Sequence, residues 1–325
     1  MSAPEDSDRL VQGTSNDAAI SRESAARLGY IADPFIQHFV RHPQRRAPLI
    51  NRGTFTRFQG VQKALRQFLR HTSQNQQQQQ QTQNQVVILG SGLDTSYFLL
   101  AKDSIRAKRY FEIDFAEINA KKAATIYKKP DMRRLLPADT KVAAGGCELH
   151  SEEYCLLSGD LRLFAQDIVP RLLEHGFDTS APTLFVSECV LIYLDPQHSD
   201  SIIDWITESV ANAAILTYEQ ILPSDRFGQM MIENLRARGL ELRGLMAYPS
   251  LESTRDRFLS RGWASAAAID LSDYHKKAIP QSELSRLARI EFLDEWEEFS
   301  LLAKHYAFTL AHTTHSKSFA SIKLI

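Results

Sequence analysis

The sequence predicts a doubly wound α/β fold with a mostly parallel seven-stranded sheet, an N-terminal helical segment and a helical insertion after the fifth strand. Three observations predict it. Short apolar runs alternate with amphipathic helical stretches over most of the chain, the mark of strands buried on both faces. Four successive runs end in a glycine or an acid: Gly90, Asp114, Asp160 and Glu188. The composition, 43% hydrophobic and 24% charged over 325 residues, is enough to build one large domain.

The elements follow in order. Residues 1–17 are polar and acidic, with too little apolar surface to offset ordering entropy, and disorder is expected. Residues 18–325 read as a single domain. Residues 18–70 form a helical cap interrupted at Pro34, Pro43 and Pro48. Residues 71–85 hold six consecutive glutamines, 76–81, and read as an exposed loop. Strands are expected at 86–89, 109–114, 153–161, 183–188, 213–219, 263–269 and 306–312, with helices at 115–129 and 197–210. The stretch 222–260 is long for a strand connection and reads as a helical insertion on the substrate side.

Composition excludes several classes. A net charge of −1 supplies no bulk field toward nucleic acid or anionic lipid. No run approaches the roughly 18 apolar residues of a membrane span, and the N-terminus is unlike a signal peptide. Three cysteines without metal-ligand spacing suit a reducing compartment, so a cytoplasmic or nuclear location is expected, with no metal. No interface pattern demands a dimer, and a monomer is expected.

The strand ends carry the chemistry. In an open α/β sheet, ligands bind at the carboxyl edge. The turn Gly90-Ser91-Gly92-Leu93-Asp94 lets backbone approach a ligand, and Asp114, 24 residues after Gly90, stands near the spacing at which an acid receives ribose hydroxyls. A dinucleotide site would want glycine three positions after Gly92; Thr95 stands there, and Asp94 would repel a diphosphate. S-adenosylmethionine is cationic at its sulfonium and ammonium groups, so the acids favour it. Each acid could alternatively cap the helix that follows its strand.

The sequence resembles the leucine carboxyl methyltransferases. The resemblance is carried by Leu89-Gly90-Ser91-Gly92-Leu93-Asp94-Thr95, by Tyr110-Phe111-Glu112-Ile113-Asp114-Phe115, by Ser187-Glu188-Cys189-Val190-Leu191-Ile192-Tyr193, and by residues 33–40, 50–53, 148–152 and 225–235. It covers about residues 18–312, with the glutamine tract and the extreme termini as departures. It implies a class I, Rossmann-like methyltransferase that uses S-adenosyl-L-methionine to esterify the C-terminal leucine of the type 2A protein phosphatase catalytic subunit. It implies Arg57 at the cofactor's carboxylate, Arg22 near it where the family has lysine, and Gly90 beneath the cofactor. It further implies Asp114 at the ribose, Asp160 and Leu161 at the adenine, and Glu188 at the amino-acid end. Tyr193 and Arg226 are substrate-side candidates, and His150 reads as structural. A carboxylate nucleophile is already ionised at neutral pH, so no catalytic base is expected.

Three alternatives remain open from sequence. One is a carboxyl methyltransferase acting on a modified tRNA base, although such relatives carry an added repeat domain. The others are a methyltransferase of small carboxylic acids and a non-catalytic protein that binds S-adenosylmethionine.

Overall fold

A computed structural model describes residues 4–74, 84–314, 319 and 322–325. The strands are β1 (Gln85–Leu89), β2 (Arg109–Asp114), β3 (Lys141–Ala143), β4 (Glu148–His150), β5 (Tyr154–Ser158), β6 (Thr183–Glu188), β7 (Ala213–Gln220), β8 (Ser265–Asp270) and β9 (Tyr306–His312). The helices before β6 are α1 (Pro4–Arg27), α2 (Pro48–Gln74), α3 (Ser96–Lys102), α4 (Ala116–Lys128), α5 (Pro130–Arg133) and α6 (Val169–Glu174). Those after it are α7 (Pro196–Ser209), α8 (Arg226–Ala237), α9 (Leu251–Leu259), α10 (Leu271–Ala278), α11 (Gln281–Ile290) and α12 (Trp296–Lys304).

The strands form one sheet in the order β3-β4-β5-β2-β1-β6-β7-β9-β8. The five from β5 to β7 are parallel, and β9 runs antiparallel between β7 and β8. Helices cover both faces, so β1 and β7 are buried along their whole length. Alternate residues serve the two layers: Val86 and Ile88 join one core, Val87 and Leu89 the other.

The seven expected strands are present, and the sheet gains two more. The short hairpin β3–β4 extends the β5 edge, antiparallel to it. Each added strand has three residues, too few for an alternation to register in sequence. A second correction concerns the N-terminus. Residues 4–17, expected to be disordered, belong to α1. Composition misled here because the helix docks largely through polar side chains. Residues 1–3 and the glutamine tract lie outside the described residues. A third feature escaped the sequence: α10, α11 and α12 sit between β8 and β9, and α10 and α12 pack against α2.

Two close contacts bind these layers. A Cβ on Gly60 of α2 would lie 2.4 Å from the Phe308 ring of β9, so only glycine lets the helix approach the sheet there. Lys122 of α4 and Glu112 of β2 are both fully buried, with Nζ and Oε2 2.6 Å apart, and the Tyr154 hydroxyl donates to Glu112 at 2.8 Å. Burial pushes the Glu112 carboxyl above its ordinary range against the pull of Lys122. Replacing Lys122 with methionine should therefore destabilise the protein by about 3–5 kcal/mol at pH 7, because a buried charge loses its partner. The loss should shrink as pH falls and the orphaned carboxyl takes up a proton. Urea unfolding at pH 5 and pH 7 checks both statements, and a pH-independent loss would contradict the second.

Candidate functional site

Strand order reverses at β1: β2 lies on one side and β6 on the other. The crevice outside their carboxyl ends is the switch point where open α/β sheets bind ligands. A cavity of about 480 Å³ occupies it, lined by Arg22, Arg57, Gly90, Asp114, Asp160, Leu161, Glu188 and Tyr193 among others. The structure thus brings together eight of the nine residues singled out from sequence.

Each is held in place by its element. Gly90 follows β1 with φ +63°, and a Cβ there would lie 2.5 Å from the Val190 side chain. Asp114 ends β2; its two oxygens accept from the backbone N–H of Gly92 (2.6 Å) and Phe115 (2.7 Å). Burial pushes the Asp114 carboxyl up against those two hydrogen bonds. Asp160 caps the short turn that follows β5, accepting from the Arg162 backbone N–H at 2.9 Å, and Leu161 is buried beside it. Glu188 ends β6 and meets Arg57 of α2 at 2.6 Å, while the Arg57 guanidinium stacks over Tyr218 at 5.0 Å. Only the Nε of Arg57 is hydrogen-bonded among the described residues.

Arg22 is bound more fully. It donates to Asp33 at 2.8 Å, Asp94 at 2.5 Å and the Thr95 hydroxyl at 2.8 Å, and Thr95 in turn donates to Asp33 at 2.6 Å. Burial raises the Asp94 carboxyl, but Arg22, Lys122 and the Ser96 N–H outweigh it and hold it below its ordinary value. Thr95, which replaces the third dinucleotide glycine, is thus a wall of this cluster.

Arg226 is the exception. Asp225 caps α8 by accepting from Gly228 N at 2.7 Å and pairs with the buried His305 at 2.8 Å. This leaves Arg226 exposed, away from the cavity and without an ion pair among the described residues. His150 bonds Glu148 at 2.8 Å and also lies outside the cavity.

Sequence reasoning missed two parts of the site. Phe299, Leu302 and Ala303 of α12, with Leu271 of α10, give the cavity an apolar end. They read as ordinary amphipathic helix, and no local signal marks them. The other part is α1, which covers the cavity with Asp8, Val11, Ser15 and Ala18. Arg162 grips Asp8 at 2.6 Å and Asp160 at 2.5 Å together, so one guanidinium ties the cover to the strand end. Further links run from Gln12 to Glu117, from Asn16 to Lys121 and from Asp17 to Arg238. Among the described residues no cluster of His, Cys, Asp or Glu is arranged to hold a metal, and no helix is long and apolar enough to cross a membrane.

Known proteins align with this geometry. The leucine carboxyl methyltransferase family profile matches residues 11–207. The chain is 40% identical over 310 residues to leucine carboxyl methyltransferase 1 of Bos taurus, covering 94% of this chain and 90% of that protein. It is 36% identical over 305 residues to the leucine carboxyl methyltransferase 1 homolog of Arabidopsis thaliana, covering 93% and 88%. It is also 35% identical to human tRNA wybutosine-synthesizing protein 4, covering 93% of this chain but 45% of that protein. A solved DUF574-family protein from Streptomyces avermitilis has a similar fold, with TM-score 0.54, 10% identity and coverage of 82% and 86%.

Two of the links that hold the cover, Asp8–Arg162 and Asp17–Arg238, are partly exposed ion pairs, each worth about 0.2–1 kcal/mol and weakened by salt. Asp8→Ala should speed amide exchange in residues 7–15 a few-fold and leave the melting temperature nearly unchanged. Raising the ionic strength of the wild type should act in the same direction. Exchange rates insensitive to both would show that apolar contacts hold α1 down.

Proposed function

The chain belongs to the leucine carboxyl methyltransferase family, and on that premise we propose that it esterifies the C-terminal leucine α-carboxylate of the type 2A protein phosphatase catalytic subunit with S-adenosyl-L-methionine. The observation that carries this reading is the convergence of Gly90, Asp114, Asp160 and Glu188 on one cavity, with Arg57 opposite.

The residues fit the cofactor. The cavity, about 480 Å³, falls in the usual range for small-molecule sites. Each Asp114 oxygen accepts one backbone N–H and keeps a lone pair for a ribose hydroxyl. Family resemblance assigns Asp160 and Leu161 to the adenine, and both line the cavity; Gly90, with no Cβ, leaves room for the cofactor close to the backbone. Glu188 suits the ammonium group, and the unbonded η nitrogens of Arg57 suit the carboxylate. Arg22 is already neutralised by Asp33 and Asp94, so its role is to build the wall beside that carboxylate. When bound, the cofactor supplies a methyl group on a cationic sulfur.

The chain's own groups then have little proton work to do. The leucine carboxylate arrives ionised. Burial pushes the Cys189 thiol and the Tyr306 phenol up to about 12, so neither adds negative charge at neutral pH. The apolar end formed by Leu271, Phe299, Leu302 and Ala303 suits an isobutyl side chain, and Tyr193 lies on the cavity wall. An anion and a cation combine to give two neutral products, so excluding water helps, and α1 and α12 do this. Positioning supplies the rest.

Two measurements test the reading. Arg57→Ala should weaken S-adenosylhomocysteine binding by about 2–5 kcal/mol, since it strands both Glu188 and the ligand carboxylate. Calorimetry reads this, and unchanged affinity in a folded variant would remove Arg57 from the site. With a methyl-labelled cofactor and the phosphatase catalytic subunit, the label should leave as methanol under mild base, and amidating the terminal carboxyl should abolish transfer. Base-stable label on an internal lysine or arginine, or transfer to tRNA instead, would overturn the substrate assignment.

A further inference from the structure

The turn that leaves β6 is strained and has to be held. Cys189 has φ +55°, a region that residues with a side chain rarely adopt. Its N–H still continues the ladder, donating to the Tyr218 carbonyl at 2.7 Å. The next two N–H groups, of Val190 and Leu191, leave the sheet and donate to one carboxylate oxygen of Glu219, at 3.3 and 3.1 Å. The Ser187 hydroxyl donates to the same oxygen at 3.4 Å. Glu219 sits near the end of β7, one residue beyond Tyr218, the register partner of Glu188. It is 8% exposed and does not line the main cavity. The turn it holds begins just after Glu188, supplies Cys189 and Tyr193 to that cavity, and presses Val190 against Gly90.

Support continues behind Glu219. Its second oxygen is buried without a hydrogen-bond partner among the described residues, and Glu219 lines a separate cavity of about 20 Å³ with Tyr248, Thr254 and Arg257. Arg257 is itself fixed by Asp200 at 2.7 Å and Ser199 at 2.7 Å, and stacks over Tyr248 at 4.2 Å. Gly244 N donates to the Ile192 carbonyl at 2.9 Å, so the α8–α9 connection grips the same turn.

We infer that Glu219 is a positioning residue for this site, its carboxylate holding the turn 189–193 from behind so that Glu188, Cys189 and Tyr193 keep their places around the ligand. The inference rests on the reading of the main cavity as the S-adenosylmethionine site.

The titratable and charged groups facing Glu219 are Arg257 of α9, Tyr248 across the small cavity, and Cys189 and Tyr193 of the turn. Burial pushes the carboxyl up to about 7, against the pull of the Val190 and Leu191 N–H groups and Arg257. A carboxyl raised by burial makes the fold less stable when ionised, so this group adds stability as pH falls from 8 toward 6. Hydrogen bonds to its neutral form are weaker, so the turn loosens over the same interval. Stability and site order therefore move in opposite directions, which a purely structural residue would not do.

Calorimetric titration with S-adenosylhomocysteine at pH 6, 7 and 8, beside thermal melts, tests this. The wild type should lose affinity about 3- to 10-fold between pH 8 and 6. Glu219→Gln, which keeps an acceptor for the two N–H groups, should bind weakly with no such slope and should melt no lower than wild type at pH 8. A slope that persists in Glu219→Gln would place the titration on another group and overturn the inference, as would wild-type affinity in that variant. A flat wild-type profile would overturn it even if the variant failed to fold. Absence of any binding to the wild type at all three pH values would overturn the site reading together with it.

Discussion

Helices cover both faces of the sheet, and the rest of the molecule follows from that. A strand buried on two sides carries an unpaired charge only at a cost in stability, and β1 and β7 carry no exposed residue at all. Polar side chains can leave such strands only at their ends. The reversal of strand order at β1 then opens one carboxyl edge as a crevice. Asp114, Asp160 and Glu188 gather there because nowhere else on the parallel core could they be both ordered and reachable.

Crowding at that edge has to be relieved. The charges are paired before any ligand arrives: Glu188 with Arg57, Asp94 with Arg22, and Asp160 with Arg162. Pairing fixes the side chains in position and reduces the cost of keeping them half-buried. Asp114 is held differently, by two backbone N–H groups, and so presents its remaining lone pairs without a competing cation. That difference separates a group suited to hydroxyl ligands from groups suited to charged ones.

The same physics decides what was legible in the sequence. Strand cores announce themselves as apolar runs, and their terminal acids stand out because they break those runs; β2 and β6 match their expected bounds. The cap residues of α2 were legible only through family resemblance, since Arg57 in isolation is one cation among many. Three-residue strands such as β3 and β4 lack the length to show alternation. The first half of α1, residues 4–17, was hidden because its contacts are largely polar and spread over Asp8, Gln12, Asn16 and Asp17, which composition reads as solvent-loving. Arg226 went the other way: a motif position suggested a site role, and an ordinary helix cap at Asp225 turned it outward.

Two buried carboxylates show how differently burial can be justified. Glu112 lies against Lys122 and Tyr154, so its charge is compensated and its contribution is to join β2 and α4. Glu219 has no contacting cation; Arg257 acts on it only at longer range, being bound to Asp200. An amide or a small apolar side chain would fill the space with less penalty. What only an ionised group provides is strong acceptance from two consecutive N–H groups of a turn whose first residue, Cys189, is in a disfavoured conformation. The protein thus keeps a destabilising charge next to a strained backbone, and the strained backbone is the one that lines the cavity. Strain at Cys189 and unfavourable burial at Glu219 meet in one place, and they mark the β6–β7 edge as a part of the fold shaped by the site rather than by stability.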